Sequence, residues 1–437
     1  MTPHPPVRVR PSGPVDAVVA GGGPAGAVAA LVLARAGHRV TLLDGGGGRH
    51  RPGAASPAMS PVASPAMSAT TSPVASPVAS AAVFSAQPVF KIGEFLPPAA
   101  RPLLGDLGLL EAFLASGHPV STGTYAAWGS AALHGRSHLF DPYGHGWHLD
   151  RLRFDAFLRD AAVAAGAELR QATVLDRLDD RLTVREPATG AVTELSARWT
   201  VDATGRRCVI GRRNGRRWRQ DRLIAAYVVF PDRRPSRPSR PGQPSDQGQP
   251  SDPADAEART LVEAAPHGWW YTTRIPAGRL VAHLTDADLA TPSLRTPQGF
   301  WHALSRTVHV RRRLTGHGPA ATPVPRWAPA HGLRLTPAAG PGWVAAGDAA
   351  LAFDPLSSQG ILTALHTGAR AGRAVADCLA DGGRTTTALA DYTAFLDGIA
   401  AAYRSNHGYA YTQEQRWPLS PFWRRRRTGE RPLSGIA

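Results

Sequence analysis

The chain has 437 residues, 43% of them hydrophobic, with a formal net charge of +16 and two cysteines far apart in the sequence. This length suggests two or three domains, and the cysteine spacing excludes a zinc motif or a disulfide scaffold. Lys91 is the only lysine in a sequence rich in Ala, Gly and Pro, so the positive charge indicates compositional bias. We therefore predict a cytoplasmic protein with no metal, no nucleic-acid partner and no membrane span.

The first elements are a strand, a helix and a second strand. Their predicted bounds are Asp16–Ala20, Pro24–Ala36 and Arg39–Leu43. The turn before the helix has Gly21, Gly23 and Gly26 in G-x-G-x-x-G spacing, which suits a tight turn, a close approach to a pyrophosphate and close helix–strand packing. Asp44 ends the second strand, where a carboxylate can accept hydrogen bonds from an adenosine ribose. This stretch predicts a dinucleotide-binding unit.

Two segments of low complexity interrupt the chain. Residues 45–83 contain a repeat with serine at every fourth position from Ser56 to Ser80, and residues 231–255 are rich in Pro, Ser and Gln. Frequent prolines forbid a helix, and the small side chains cannot build a core. Both segments are therefore predicted to be disordered insertions in loops.

The remaining pattern predicts a second sheet and several helices. Alternating apolar residues indicate strands at Arg222–Phe230, Thr260–Ala265, Gly268–Ile275 and Arg279–Leu284. Helices are predicted over Phe300–Arg313 and Gly360–Ala380. The tail, residues 392–437, is predicted to be helical and basic, with arginine clusters here and at Arg212–Arg222 that could steer an acidic partner.

Two later motifs indicate which dinucleotide is bound. Residues 201–205 read VDATG, and residues 347–361 read GDAALAFDPLSSQGI. FAD needs a separate wall for its ribitol and flavin, where Asp348 could bond the ribitol hydroxyls. A helix beginning near Gly360 could direct its N-terminal dipole at the flavin pyrimidine edge. These motifs favour FAD over NAD.

The order of these motifs resembles the flavoprotein class of aromatic hydroxylases, geranylgeranyl-type reductases and tryptophan halogenases. The matching segments are GGGPAG at 21–26, DRLRFD at 150–155, DATG at 202–205 and GDAALAFDP at 347–355. The resemblance implies that the ADP half of FAD is held by Gly21, Gly23, Gly26 and Asp44. It implies that the flavin half is held by Gly347, Asp348, Gly360 and Ile361.

Further site residues follow from the same resemblance. Arg153 would lie near the cofactor, although a charged residue on a helix face can also be plain solvated surface. The residues expected at the flavin face are Pro355, Ser358 and Gln359. No general base emerges from the sequence, so the catalytic residues stay open.

The resemblance also implies the architecture. We expect an α/β fold with a three-layer, Rossmann-like FAD domain and an inserted antiparallel substrate sheet. The FAD domain would be discontinuous, comprising residues 14–44, 148–211 and 337–391. The substrate domain would comprise residues 84–147 and 212–336.

Halogenases resemble the chain at KIGEFLPP (91–98), WWYTTRIP (269–276) and DPLSSQGI (354–361), but their key groups are absent. Their lysine follows the G-E segment, whereas Lys91 precedes it. Tyr271 and Thr273 stand where W-x-W-x-I-P needs tryptophans, and Ser357 replaces a glutamate. We therefore expect no halogenation.

The combined segments look most like the flavoproteins that mature quinone-cofactor amino-acid and amine oxidases. This resemblance implies an FAD monooxygenase that uses O₂, with NAD(P)H or an external reductase as electron source, to hydroxylate a tryptophan in an oxidase precursor. The alternatives are a small-molecule aromatic hydroxylase, a geranylgeranyl-type reductase, a halogenase-like flavoenzyme, or a nucleotide-dependent binding protein without turnover. Trp269 and Trp270 could serve the substrate site or simply pack the second sheet.

Overall fold

The computed structural model describes residues 15–46, 90–231, 257–381 and 387–428. The two low-complexity segments lie outside the described residues except for positions 45, 46 and 231, and so does the end of the tail after residue 428. Within the described part of the chain, no helix is both long enough and apolar enough to cross a bilayer.

Runs of short strands are separated by helices along the chain. In chain order the strands are β1 Val15–Ala20, β2 Val40–Asp44, β3 Phe95–Leu96, β4 Val120–Ser121, β5 Gly123–Ala127, β6 His134–Ser137, β7 Gly146–His148, β8 Glu168–Gln171, β9 Thr173–Leu178, β10 Arg181–Arg185, β11 Val192–Asp202, β12 Arg216–Arg219, β13 Leu223–Phe230, β14 Thr260–Ala265, β15 Gly268–Ile275, β16 Gly278–Asp286, β17 Arg326–Pro329, β18 Leu333–Thr336, β19 Ala339–Gly340, β20 Trp343–Ala345 and β21 Leu351–Ala352. The helices are α1 Pro24–Arg35, α2 Ala100–Asp106, α3 Leu110–Ala115, α4 Arg151–Ala164, α5 Gly211–Asn214, α6 Pro297–Ser305, α7 His309–Arg312, α8 Gly360–Ala380, α9 Thr387–Thr412 and α10 Pro421–Thr428.

A parallel sheet organises the first part of the fold. Its strand order is β19-β20-β11-β1-β2-β8, and β20, β11, β1, β2 and β8 run parallel to their neighbours. One face of β1, with Val19, packs in the same core as α1 and α8, while the other face, with Val18, packs on the ribbon of β9 and β10. Helices, sheet and ribbon form three layers, which confirms the predicted α/β fold class.

The second sheet has the order β17-β13-β16-β15-β14-β5-β6. Its strands pair antiparallel except β5 and β14, which are parallel. A hairpin cannot join two parallel strands, and here a segment that contributes to the first sheet lies between them. Trp269 and Trp270 are both buried, on opposite faces of β15, and each belongs to a hydrophobic core. Their role in the described structure is packing.

The segment between residues 90 and 148 is shared between the two cores. Leu104 of α2, Phe113 of α3 and Trp147 of β7 are buried in the same core as α1. Strands β5 and β6 instead extend the second sheet. This segment therefore connects the dinucleotide-binding motif with the second sheet.

The helix predicted over Phe300–Arg313 is two helices, α6 and α7. The buried carboxylate of Glu263 accepts hydrogen bonds from the N–H groups of Val308, His309 and Val310, at 2.6, 2.9 and 2.8 Å. A carboxylate satisfies free N–H groups at a helix N-terminus and complements the helix dipole. Glu263 lies on β14, far from α7 in the sequence, so the residues around position 307 do not by themselves indicate that a new helix begins there.

The tail packs against the second sheet. Phe422 and Trp423 of α10 are fully buried, and the Trp423 Nε1–H donates to the Ala265 carbonyl at 2.9 Å. The Arg426 guanidinium pairs with Asp286 at 2.8 Å, and Arg425 pairs with the same carboxylate at 2.9 Å. Both guanidinium groups are paired with a carboxylate of the same chain. The tail is therefore a weaker candidate for steering a partner than its composition indicates.

Candidate active site

The carboxyl ends of the parallel strands place the predicted motifs along one edge of the first sheet. Ala20 of β1 pairs with Leu43 of β2 on one side and with Asp202 of β11 on the other, and Asp202 pairs with Ala345 of β20. The glycine turn follows Ala20, DATG begins at Asp202, and GDAA begins two residues after Ala345. Ligands of open parallel sheets bind at this edge.

The glycine turn has the geometry that a pyrophosphate requires. Gly21 has a φ of +117°, and a Cβ there would lie 2.2 Å from the Ala203 carbonyl oxygen. A Cβ at Gly26 would lie 1.9 Å from the Gly21 carbonyl oxygen, so α1 can start this close only with glycine. Around Gly23 there is open space instead, with nothing within 4 Å of an added Cβ.

Asp44 is half-buried at the end of β2, and it forms an ion pair that the sequence pattern does not indicate. The Arg159 guanidinium lies 3.6 Å from the Asp44 carboxylate and donates to the Gly22 carbonyl at 3.1 Å. Arg159 therefore ties the end of β2 to the glycine turn. It shares a face of α4 with Leu152 and Ala156, and this spacing of three to four residues could have identified it.

A cleft of about 790 Å³ opens beside this turn. Its first wall is the dinucleotide motif, with Gly22, Gly23 and Asp44. The α4 wall includes Arg153, Asp155 and Arg159, and the opposite wall includes Phe90, Ile92 and Tyr227. Since Tyr227 lies on β13, the cleft extends from the glycine turn to the second sheet.

Arg153 lines this cleft with an exposed side chain. Its guanidinium donates to the Ser116 carbonyl at 2.7 Å, and Ser116 is itself a cleft residue. Arg153 thus has a structural contact and still presents positive charge to the cleft.

Lys91 lies on the cleft wall in an ion-pair cluster that the sequence did not reveal. Its amine is 2.6 Å from Asp155, which also pairs with buried Arg151 at 3.1 Å. Burial alone would raise the pKa of Asp155, but Arg151 and Lys91 outweigh it and lower that pKa, so the carboxylate stays ionised. Nearby, burial raises the pKa of Glu94 despite its hydrogen bond from the Gly93 N–H.

The predicted flavin-half residues form a second group at the same sheet edge. The Asp348 carboxylate pairs with Arg206, which follows the DATG motif, at 3.3 Å. The Gly347 N–H donates to Thr367 Oγ1 at 2.9 Å. The sequence did not single out Arg206, although it lies directly after the DATG turn.

The loop before α8 holds the other predicted residues. Pro355, Ser358, Gln359 and Gly360 are exposed, whereas Ile361 is buried in the core. None of them, nor Gly347 or Asp348, lines the cleft beside the glycine turn. The structure thus brings Gly23, Asp44 and Arg153 together and places the flavin-half residues in a separate group.

The residues present fit a dinucleotide. The open space at Gly23 leaves room for a pyrophosphate at the start of α1, and the Asp44 and Asp348 carboxylates can accept hydrogen bonds from hydroxyl groups. The described residues contain no cluster of His, Cys, Asp and Glu able to hold a metal ion.

Arg159→Met is expected to raise the FAD dissociation constant about tenfold, because the end of β2 and the glycine turn lose their link. Flavin fluorescence titration measures this constant. Arg185→Met, at an exposed position of β10, is the control and should bind like wild type. An unchanged constant for Arg159→Met, in folded protein, would contradict the assigned role.

Comparisons with known proteins relate the chain to FAD-dependent enzymes. A family model for tryptophan halogenase matches residues 122–222. A protein of Marinomonas mediterranea named as an FAD-dependent oxidoreductase, LodB, is 25% identical over 425 residues, which cover 94% of this chain and 96% of that one.

Two solved structures show the shared fold. The myxobacterial chondrochloren halogenase CndH superposes with a TM-score of 0.73 at 22% identity, covering 94% of this chain and 85% of that one. QhpG, a peptidyl tryptophan dihydroxylase essential for tryptophylquinone cofactor biogenesis, has a TM-score of 0.67 at 20% identity, covering 94% and 78%. The chain is therefore similar to FAD-dependent oxidoreductases and halogenases, and it shares the fold of these flavoproteins.

Proposed function

We propose that the chain is an FAD-dependent monooxygenase that hydroxylates an aromatic substrate, and that this substrate is a tryptophan side chain of a partner protein. The observation that carries the proposal is the cleft. It extends from the glycine turn to Tyr227 on the second sheet, and its wall residues Phe90 and Ile92 pack in the same hydrophobic cluster as Leu356 of the predicted flavin loop. An aromatic group fits between such apolar side chains.

The chain's own residues divide the work. Gly23 and the start of α1 would hold the pyrophosphate, Asp44 the adenosine ribose and Asp348 the ribitol. Bound FAD would supply the electrons that activate O₂, taken from NAD(P)H or a separate reductase. Phe90, Ile92 and Tyr227 would exclude water from the substrate.

An exposed apolar loop supports a protein substrate. Leu139 and Phe140 are 78% and 91% exposed between β6 and β7. Strand β7 pairs with β4 through Trp147 and Val120, and β4 begins two residues after the cleft residue His118. Two adjacent, exposed apolar side chains of this size are candidates for contact with another protein. The peptidyl substrate of QhpG supports the same class of substrate.

Halogenation is the second candidate, because the family model and the halogenase CndH both match this chain. The residues argue against it. Tyr271 and Thr273 replace the signature tryptophans, and both are buried within the second sheet. Lys91 is paired with Asp155 and lies before the G-E segment. We therefore place hydroxylation first.

Co-expression with the precursor of a quinone-cofactor oxidase is expected to add one or two oxygen atoms to a tryptophan of that precursor. Intact-mass and peptide mass spectrometry measure the change. In parallel, purified enzyme with FAD, a flavin reductase, NADH and bromide is expected to form no brominated tryptophan or indole. A brominated product that disappears in Lys91→Ala would establish the halogenase alternative.

A double substitution by serine distinguishes a protein substrate from a small-molecule substrate. Leu139→Ser with Phe140→Ser should reduce modification of the precursor at least tenfold without changing FAD content, because the apolar contact surface is lost. Val324, also exposed and not a cleft residue, supplies the control Val324→Ser. Rapid turnover of a free phenol or indole, with no modified precursor, would favour the small-molecule hydroxylase.

A further inference from the structure

Asp354 organises the loop that leads into α8. Its side chain is fully buried, and its Oδ1 accepts the Leu356 N–H at 2.9 Å. Two residues further on, Ser358 has a φ of +53°, in the left-handed region that a non-glycine residue rarely adopts. A loop with such a residue persists only when the surrounding structure holds it.

Three residues of α9, spaced four apart, surround Asp354. The Tyr411 hydroxyl donates to Asp354 Oδ2 at 2.7 Å, and His407 Nε2 lies 3.3 Å from the same oxygen. The Asp354 N–H donates to the Tyr403 hydroxyl at 3.1 Å. Burial opposes ionisation of Asp354, but His407 and Arg426 lower its pKa, so it accepts these bonds as a carboxylate.

The same tyrosine joins the loop to the second sheet and the tail. The buried Trp269 Nε1–H donates to the Tyr411 hydroxyl at 3.0 Å. The Arg426 guanidinium lies 5.3 Å from the centre of the Tyr411 ring and is anchored by Asp286. Asp354 is therefore held by α9, and its partner Tyr411 is in turn held from β15 and α10. The sequence predicted none of these contacts.

We propose that Tyr411 and His407 are positioning residues, which hold Asp354 and thereby fix the loop Pro355–Gln359 against the flavin. The part of this inference that concerns the flavin rests on the proposed function. The part that concerns the contact between α9 and the loop does not depend on it. Helix α9 is then part of the cofactor site, because it sets the conformation of a loop to which it does not belong.

Amide hydrogen exchange of the cofactor-free protein tests the contact. In Tyr411→Phe, which lacks only the hydroxyl group, the segment 355–360 should exchange about tenfold faster than in wild type. The control is Tyr409→Phe, which removes a hydroxyl from an exposed residue of the same helix. Unchanged exchange at 355–360 in folded Tyr411→Phe overturns the proposal. If that variant does not fold, His407→Gln serves the same comparison.

The FAD-bound protein supplies a second measurement. Tyr411→Phe should raise the FAD dissociation constant severalfold and shift the visible absorption bands of the bound flavin, whereas Tyr409→Phe should change neither. Faster loop exchange with an unaltered flavin spectrum would show that the loop is held but does not contact the flavin, which overturns the positioning role. Failure of wild type to bind FAD would instead reject the proposed function and leave the exchange result valid.

Discussion

Gly23→Val is expected to abolish FAD binding and leave the protein folded. The backbone at Gly23 is extended, with φ −78° and ψ −178°, and nothing lies within 4 Å of an added Cβ. A valine therefore fits the apo fold but occupies the space that the pyrophosphate needs. We expect at least a hundredfold weaker binding, equivalent to about 2.7 kcal/mol. Absorption spectra of purified and FAD-soaked protein measure the loss.

Two further glycines separate the effects of this substitution. Gly318 also has extended backbone and open space, and it is not a cleft residue, so Gly318→Val should remain yellow. Gly26→Val should disturb the fold itself, because its side chain would overlap the Gly21 carbonyl. A folded Gly23→Val protein with normal flavin content would disprove pyrophosphate binding at this turn.

Asp286→Asn is expected to lower the free energy of unfolding by about 3–5 kcal/mol, since it removes one partner of a buried ion pair. The Arg426 side chain is only 4% exposed, and its buried guanidinium would lose the carboxylate to which it is hydrogen-bonded. The change keeps the size of the side chain, so a loss of stability reports the charge. Thermal and urea unfolding monitored by circular dichroism measure it.

Asp288→Asn is the matched control for this ion pair. Asp288 pairs with Arg425 and Arg222, but its side chain is 37% exposed. Solvent screens such a pair, so the expected loss is at most about 1 kcal/mol. Equal stability of the two variants would show that α10 does not depend on the Asp286 pair.

The confirmed α/β fold class follows from patterns that are local in sequence. Gly21 and Gly26 meet within one turn, so their spacing alone anticipates the contact of 1.9 Å between the start of α1 and the Gly21 carbonyl. Alternation of apolar residues likewise anticipates that β15 is a strand, whereas the burial of both its faces depends on what packs against them. The expected absence of halogenation and the assignment of the FAD-binding residues stay predictions, which the assays and substitutions above test.

The tertiary structure decided features whose partners are distant in the sequence. Glu263 starts α7 from another strand, Arg159 reaches the glycine turn, and Tyr411 reaches Asp354. No periodic pattern links such positions, because a side-chain contact between elements depends on where the sheets place them. Contacts between distant elements also changed the interpretation of the tail. Its arginines look like a basic surface in composition, and only the approach of α10 to Asp286 turns two of them into internal ion pairs.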